Sequence, residues 1–134
     1  QVSDALVCQI DLLSSIAKLV GSDVRIADSE EMLNDLMGVS HHGREELIIE
    51  ATTRTAMRKG DWIMIPPYKG PAINESVNIE LGNSKDYQLY NLKDDLSQQN
   101  NLAKSQPEKL KELINIFEEK RGKDYDKIDG LNIK

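Results

Sequence analysis

Hydrophobic residues at helical spacing mark the beginning of the chain. In residues 4–20 the apolar positions step by three or four, the period of one helix face: Leu6, Ile10, Leu13, Ala17 and Val20. Asp4 is suited to cap such a helix and Gly21 to end it. Three further residues widen the apolar face: Leu12, Ile16 and Leu19. We therefore expect the helix to be covered on more than one side, by a sheet of this chain and by a further body.

Two later segments show the same period. We predict a second helix at 28–37, opened by a capping box of Asp28 and Glu31. Its buried edge would consist of four apolar residues, Met32, Leu33, Leu36 and Met37, and Gly38 would end it. A third helix is predicted at 106–121, where one apolar stripe is formed by Leu110, Leu113, Ile114 and Phe117.

Extended segments lie between these helices. Along residues 47–52, Leu47, Ile49 and Ala51 alternate with Ile48, Glu50 and Thr52, which is typical of a strand with one better-buried face. Residues 55–58 and 62–65 flank a short turn containing Gly60, and this spacing predicts an antiparallel hairpin.

Prolines and glycines break up residues 66–86, so we predict a loop there, with a short extended piece at 77–81. A last strand is predicted at 87–92. The fold class is therefore α+β: a small antiparallel sheet of three or four strands within 46–92, packed by the carboxy-terminal helix, with two amino-terminal helices. Residues 1–122 would form this subdomain, and the tail at 123–134 would fray.

Four segments of the chain resemble the end of the arylsulfatase-type sulfatase family. Residues 87–103, YQLYNLKDDLSQQNNLA, are similar to its "ELYDL" strand and the following "NLA". Residues 5–21 resemble its "DLLPTLLDLAG" helix, 25–38 its "DG.SLLPLL.G" turn, and 55–65 its "AVR.GDWKLI" hairpin. The four matches occur in the family's order and cover roughly residues 4–120.

The resemblance implies that the parent protein hydrolyses sulfate esters, with sulfated sugars as expected substrates. It also implies a formylglycine nucleophile and a bound calcium, both in a missing amino-terminal sulfatase domain that would be the partner of this chain. The present segment would complete the core and border the substrate cleft. A periplasmic or secreted location is expected from the family.

The family makes its formylglycine from the cysteine or serine of a C/S-x-P-x-R motif, and no such motif occurs here. Cys8 in CQIDL lacks both the proline and the arginine of the motif. Ser105 in SQPEK has the proline two positions on, but lysine stands where the motif requires arginine. We interpret Cys8 as a small hydrophobe on a buried helix, and Ser105 with Glu108 as a capping box. No catalytic residue and no metal ligand is assigned to the chain, which alone should not be catalytic.

One loop could bind an anion. His41, His42 and Arg44 in HHGRE combine two groups that titrate near neutral pH with a guanidinium suited to a sulfate group. The resemblance places such loops at the edge of the substrate pocket, so these three are the candidate substrate-binding residues. The alternative is a solvated loop with one histidine packed against the sheet.

The charge and the apolar content of the chain limit the classes of binding partner that we expect. The net charge is −6 and the isoelectric point is near 4.9, without a basic stripe, so nucleic acid is not expected. No apolar run approaches the ~20 residues of a membrane span. A different functional class remains open: a free-standing interaction module that forms a homodimer, or binds another protein, through the apolar face of residues 5–20.

Overall fold

A computed structural model describes residues 2–24, 26–51 and 54–124. The elements in chain order are α1 (Asp11–Leu19), α2 (Leu33–Leu36), β1 (Glu46–Ala51), β2 (Arg54–Lys59), β3 (Trp62–Ile65), β4 (Ile73–Asn74), β5 (Ile79–Glu80), β6 (Gln88–Asn91) and α3 (Pro107–Arg121). They form two compact units, residues 1–47 and 48–134. The α+β prediction is confirmed. The predicted frayed tail lies, for residues 125–134, outside the described residues.

The second unit is built on a four-stranded antiparallel sheet in the order β1-β2-β3-β6. The predicted hairpin is confirmed, because β2 and β3 pair with Lys59 opposite Trp62. Gly60 in the turn has a φ of +55°, a conformation that costs glycine nothing. β6 pairs with the other side of β3, with Leu89 opposite Met64.

One face of this sheet carries the hydrophobic core. Five fully buried side chains form it: Met57, Met64, Leu89, Leu113 and Phe117. The first three share a sheet face because they stand opposite one another in the register, and the last two come from α3. Leu110 and Ile114 pack partly buried against the same cluster, so the predicted apolar stripe of the last helix is confirmed.

The segment predicted as a loop at 66–86 contains a second, two-stranded sheet of β4 and β5. β5 falls inside the extended piece predicted at 77–81, whereas β4 was not predicted. Each strand has two exposed residues, too short for a hydrophobic period to reveal it. The Tyr68 N–H donates to the Ser84 carbonyl at 2.8 Å, and this bond joins the two ends of the segment that contains β4 and β5.

The first unit contains α1, which is shorter than the predicted 4–20. It begins at Asp11 with Ile10 as its N-cap, so Asp4 does not cap it. The reason is that Leu6 is engaged elsewhere: its carbonyl accepts the Arg44 N–H at 2.7 Å. The end is as predicted, since Gly21 follows the helix with a φ of +73°.

The helix α2 is also shorter than the predicted 28–37. Asp28 has a φ of +63°, which excludes it from a helix, and the Glu31 carboxylate accepts the Leu33 N–H instead of closing a capping box on Asp28. Met32 is buried as predicted, but Leu36 and Met37 are exposed. The predicted apolar edge is therefore buried only in part.

Candidate functional site

The buried side of α1 is polar. Asp11 and Ser15 are its buried residues, with relative exposures of 0% and 1%. The Ser15 hydroxyl donates to the Asp11 carbonyl at 2.7 Å and accepts the Met32 N–H at 2.9 Å. These bonds tie the helix to the segment that leads into α2. The Ser15 hydroxyl of α1 is therefore hydrogen-bonded within the first unit.

Asp11 is the centre of this arrangement. Its Oδ2 accepts the Cys8 N–H at 2.8 Å and the Arg44 Nε at 2.8 Å. Its Oδ1 accepts the Glu30 N–H at 2.9 Å and also the Arg44 Nη2. Burial alone would raise the pKa of Asp11, but the hydrogen bonds from Arg44, Glu30 and Cys8 outweigh it and lower that pKa. The carboxylate is thus held ionised and fully hydrogen-bonded in a buried position.

Arg44 makes two further bonds besides those to Asp11. Its Nη1 donates to Glu30 Oε1 at 2.9 Å, and its Nη2 donates to the Asp28 carbonyl at 2.5 Å. Its side chain is 8% exposed. The hydrogen bond with Asp11 raises the pKa of Arg44 further above its ordinary value. Four of the five N–H donors that a guanidinium offers are engaged by this chain, so Arg44 holds three separate segments together.

The two histidines of the same loop point the other way, since both are exposed. His41 Nδ1 lies 2.9 Å from the Ser3 hydroxyl oxygen, and the His42 N–H donates to the Ser40 hydroxyl at 3.4 Å. The loop therefore presents its imidazoles outward and its guanidinium inward.

Asp35 fixes the conformation of this loop. Its Oδ1 accepts the Ser40 hydroxyl at 2.9 Å and the Gly43 N–H at 3.1 Å. Burial favours the neutral acid, but these hydrogen bonds and the neighbouring His42 prevail and lower the pKa of Asp35. Gly43 has a φ of +61°, and a Cβ at this position would lie 2.5 Å from the Leu6 nitrogen. Only glycine allows this close approach of the two backbones.

The two residues compared with the nucleophile motif have structural surroundings. Cys8 lies before α1, not on it, and is half-buried. The Ser105 hydroxyl donates to the Leu102 carbonyl at 3.2 Å and does not cap α3, whose N-cap is Gln106. Within residues 2–24, 26–51 and 54–124, no three His, Cys, Asp or Glu side chains converge as metal ligands.

The sequence pattern missed Asp11 as a central residue. The available signal was a carboxylate inside the mostly apolar run CQIDLL. If such a run is buried, its acidic residue is expected to have a partner, because an acidic residue is seldom buried unless it is paired. The arginine that pairs with it lies 33 residues away, and spacing alone does not connect the two.

The opposite side of α1 is apolar and exposed. We call it the α1 face, and its members are between 42% and 71% exposed: Leu12, Leu13, Ile16, Leu19 and Val20. No helix in the described part of the chain is long and apolar enough to cross a membrane.

Comparison with known proteins shows what these units belong to. No family model matches the chain. It is 39% identical over 118 residues to N-acetylgalactosamine-6-O-sulfatase of Bacteroides thetaiotaomicron, a match that covers 85% of this chain. The chain belongs to the sulfatase family. It corresponds to the carboxy-terminal part and spans 23% of that sulfatase's length.

Solved structures agree with this assignment. One from B. thetaiotaomicron, described with that organism's metabolism of multiple glycosaminoglycans, has a TM-score of 0.83 at 36% identity and covers 90% of this sulfatase chain and 26% of its own. A second, in complex with its substrate D-glucosamine-2-N,6-O-disulfate, has a TM-score of 0.61 at 18% identity, covering 98% and 27%. The second likeness is one of fold alone.

Proposed function

We propose that this chain is the carboxy-terminal segment of a sulfatase that hydrolyses sulfate esters of sugars. The observation that carries the proposal is the 39% identity to an N-acetylgalactosamine-6-O-sulfatase along 85% of the chain. Sulfate at the 6-position of an N-acetylated amino sugar is accordingly the substrate class that we propose for the whole protein.

The segment supports the reaction without supplying its nucleophile. The Cys8 backbone N–H donates to Asp11 Oδ2, the Ser105 hydroxyl donates to the Leu102 carbonyl, and neither residue stands in the motif that the family converts to formylglycine. We therefore assign the formylglycine and the calcium to the part of the parent that lies outside this chain. When bound, calcium would supply positive charge for the sulfate group.

The role proposed for the loop at 41–44 is to border the substrate cleft. His41 and His42 are exposed and able to donate hydrogen bonds to sulfate or sugar oxygens. Arg44 was predicted to contact substrate as well, but its bonds to Asp11 and Glu30 favour a different contribution, which is to hold the loop in place. In the proposal Arg44 is thus a positioning residue.

The substrate proposal is tested on the protein expressed from its complete coding sequence. Sulfate release is measured from N-acetylgalactosamine 6-sulfate and, as the matched comparison, from the 4-sulfate of the same sugar. We expect release from the 6-sulfate and a kcat/KM at least tenfold lower for the 4-sulfate. Equal rates would refute the positional assignment, and no release from any sulfated sugar would refute the proposed function.

A further inference from the structure

Two arginines lie on the same face of strand β2. Successive side chains of a strand point to opposite faces, so Arg54 and Arg58 share one face, and Thr55 and Met57 share the other. Thr55 and Met57 are buried, and Met57 belongs to the core cluster that includes residues of α3. The face that carries Arg54 and Arg58, which we call the arginine face, is therefore turned away from α3.

A neutral oxygen orients each guanidinium of the arginine face. The Arg54 Nε donates to the Asn83 Oδ1 at 2.7 Å, and the Arg58 Nε donates to the Gly60 carbonyl at 3.0 Å. The Asn83 amide is itself held, because its Nδ2 donates to the Pro71 carbonyl at 2.6 Å. A guanidinium has five N–H donors, so a bond at Nε leaves the two Nη groups, which are suited to a two-point contact with an oxyanion.

In the part of the chain that the structure describes, no carboxylate pairs with either arginine of this face. The other two described arginines are paired, Arg44 with Asp11 and Arg121 with Glu50. The protein has 23 acidic and 17 basic residues, so carboxylates are not scarce in it. Both guanidinium groups of the arginine face are half-buried, and a partly buried charge is normally paired. An anion from outside the described chain is therefore the expected partner.

The two guanidinium groups are held at opposite ends of β2. Arg58 is bonded to Gly60 in the hairpin turn, whereas Arg54 begins the strand and is bonded to Asn83. Residues four apart in a strand are separated by roughly 13 Å. A single small oxyanion does not bridge this distance, but successive anionic groups along one extended molecule do.

We propose that the arginine face binds an acidic oligosaccharide through carboxylate or sulfate groups on successive sugars. The proposal rests on the proposed function, in which the substrate carries a sulfated sugar, and extends that substrate to a chain with further anionic groups. These groups are distinct from the sulfate that is released. Carboxylate and sulfate share the required chemistry, because each offers two oxygens to the Nη groups of one arginine.

A double variant of the protein expressed from its complete coding sequence tests the arginine face. Arg54→Gln with Arg58→Gln removes both charges and keeps two polar side chains. The matched control is Lys104→Gln with Lys111→Gln, which removes two charges at exposed positions before and within α3. Sulfate release is measured from N-acetylgalactosamine 6-sulfate and from two oligosaccharides that end in this sugar. The neighbouring sugars bear carboxylates in one oligosaccharide and further sulfates in the other.

We expect the arginine double variant to raise KM by about tenfold or more for at least one oligosaccharide, since each arginine loses a charge-assisted contact. The oligosaccharide whose KM rises identifies the bound group as carboxylate or sulfate. The KM for the monosaccharide, kcat and Tm should not change. The lysine double variant should keep the wild-type KM for all three substrates.

Two results would overturn the proposal. An unchanged KM for both oligosaccharides in the arginine double variant would show that the face does not bind substrate. A fall in Tm of several degrees, with KM raised equally for the monosaccharide, would show that carboxylates of the parent protein occupy the two arginines. Calorimetry with the same oligosaccharides lacking the 6-sulfate follows binding without turnover. A wild-type protein that binds them but releases no sulfate would refute the proposed function and support the arginine face.

Discussion

Arg44 and Asp11 lie 33 residues apart in the sequence and form a buried two-point ion pair, with side-chain exposures of 8% and 1%. Both carboxylate oxygens are bonded to the guanidinium, and each also accepts a backbone N–H. Such a pair fixes geometry because the planar fork fits the carboxylate in one orientation. The start of α1, the segment before α2 and the histidine loop are thereby joined at one point.

We expect Arg44→Ala to destabilise the first unit by about 3–5 kcal/mol, because it leaves the Asp11 carboxylate buried without its partner. Urea unfolding followed by far-ultraviolet circular dichroism measures the change. Arg44→Lys keeps the charge but loses the planar two-point geometry of the guanidinium. Its unfolding free energy should therefore lie between those of Arg44→Ala and the wild type. An unchanged unfolding free energy for Arg44→Ala would contradict the structural role.

Acid should weaken the first unit through Asp11. The folded-state pKa of this carboxyl lies below its ordinary value of 3.8, so the unfolded chain takes up the proton first as the pH falls. The stabilisation is fully present above pH 3.8 and is lost as the pH falls through the folded-state pKa. The free energy of unfolding, measured against pH below 3.8, should therefore fall less steeply for Asp11→Asn than for the wild type. Equal slopes would show that Asp11 does not contribute.

Gly43→Ala and Gly21→Ala form a matched pair. Both glycines have a positive φ, so each substitution carries a strain of about 1–2 kcal/mol. A Cβ at Gly43 would also lie 2.5 Å from the Leu6 nitrogen, whereas a Cβ at Gly21 would meet nothing within 4 Å. Gly43→Ala should thus be clearly the more destabilising of the two in thermal unfolding. A larger loss from Gly21→Ala would mean that the loop does not approach Leu6.

His42→Ala, made in the protein expressed from its complete coding sequence, separates binding from folding. Because His42 is exposed and its side chain is outside the Asp11 cluster, we expect a higher KM with kcat and Tm unchanged. Steady-state sulfate release gives both kinetic constants. His41→Ala, made in parallel, reports whether one imidazole or both take part. A loss of kcat at constant KM would contradict a role at the edge of the cleft.

Sequence patterns predicted the second unit well because its signals are local. The hairpin around Gly60 and the stripe of Leu113 and Phe117 on α3 depend on residues close in sequence, and the structure has both. The capping box at Ser105 failed for a different reason. The Ser105 hydroxyl donates to the Leu102 carbonyl in the preceding turn, and this local hydrogen bond competes with the one that would cap the helix.

The first unit was predicted less well because long-range contacts determine it. The apolar period from Leu6 onward is that of a helix, yet the Leu6 carbonyl is bonded to the Arg44 N–H and the helix begins at Asp11. The candidate site shows the same limit. The loop at 41–44 was identified from its residue types, but the pattern gave no indication that its guanidinium turns inward to Asp11.

Sulfate release tests most directly whether this chain completes a sulfatase whose reacting groups lie elsewhere. The assay compares three samples: the protein from its complete coding sequence, the same protein with the cysteine or serine of its C/S-x-P-x-R motif changed to alanine, and the 134-residue chain. We expect release by the first sample and none by the other two. Release by the 134-residue chain, or undiminished release by the motif variant, would contradict this expectation.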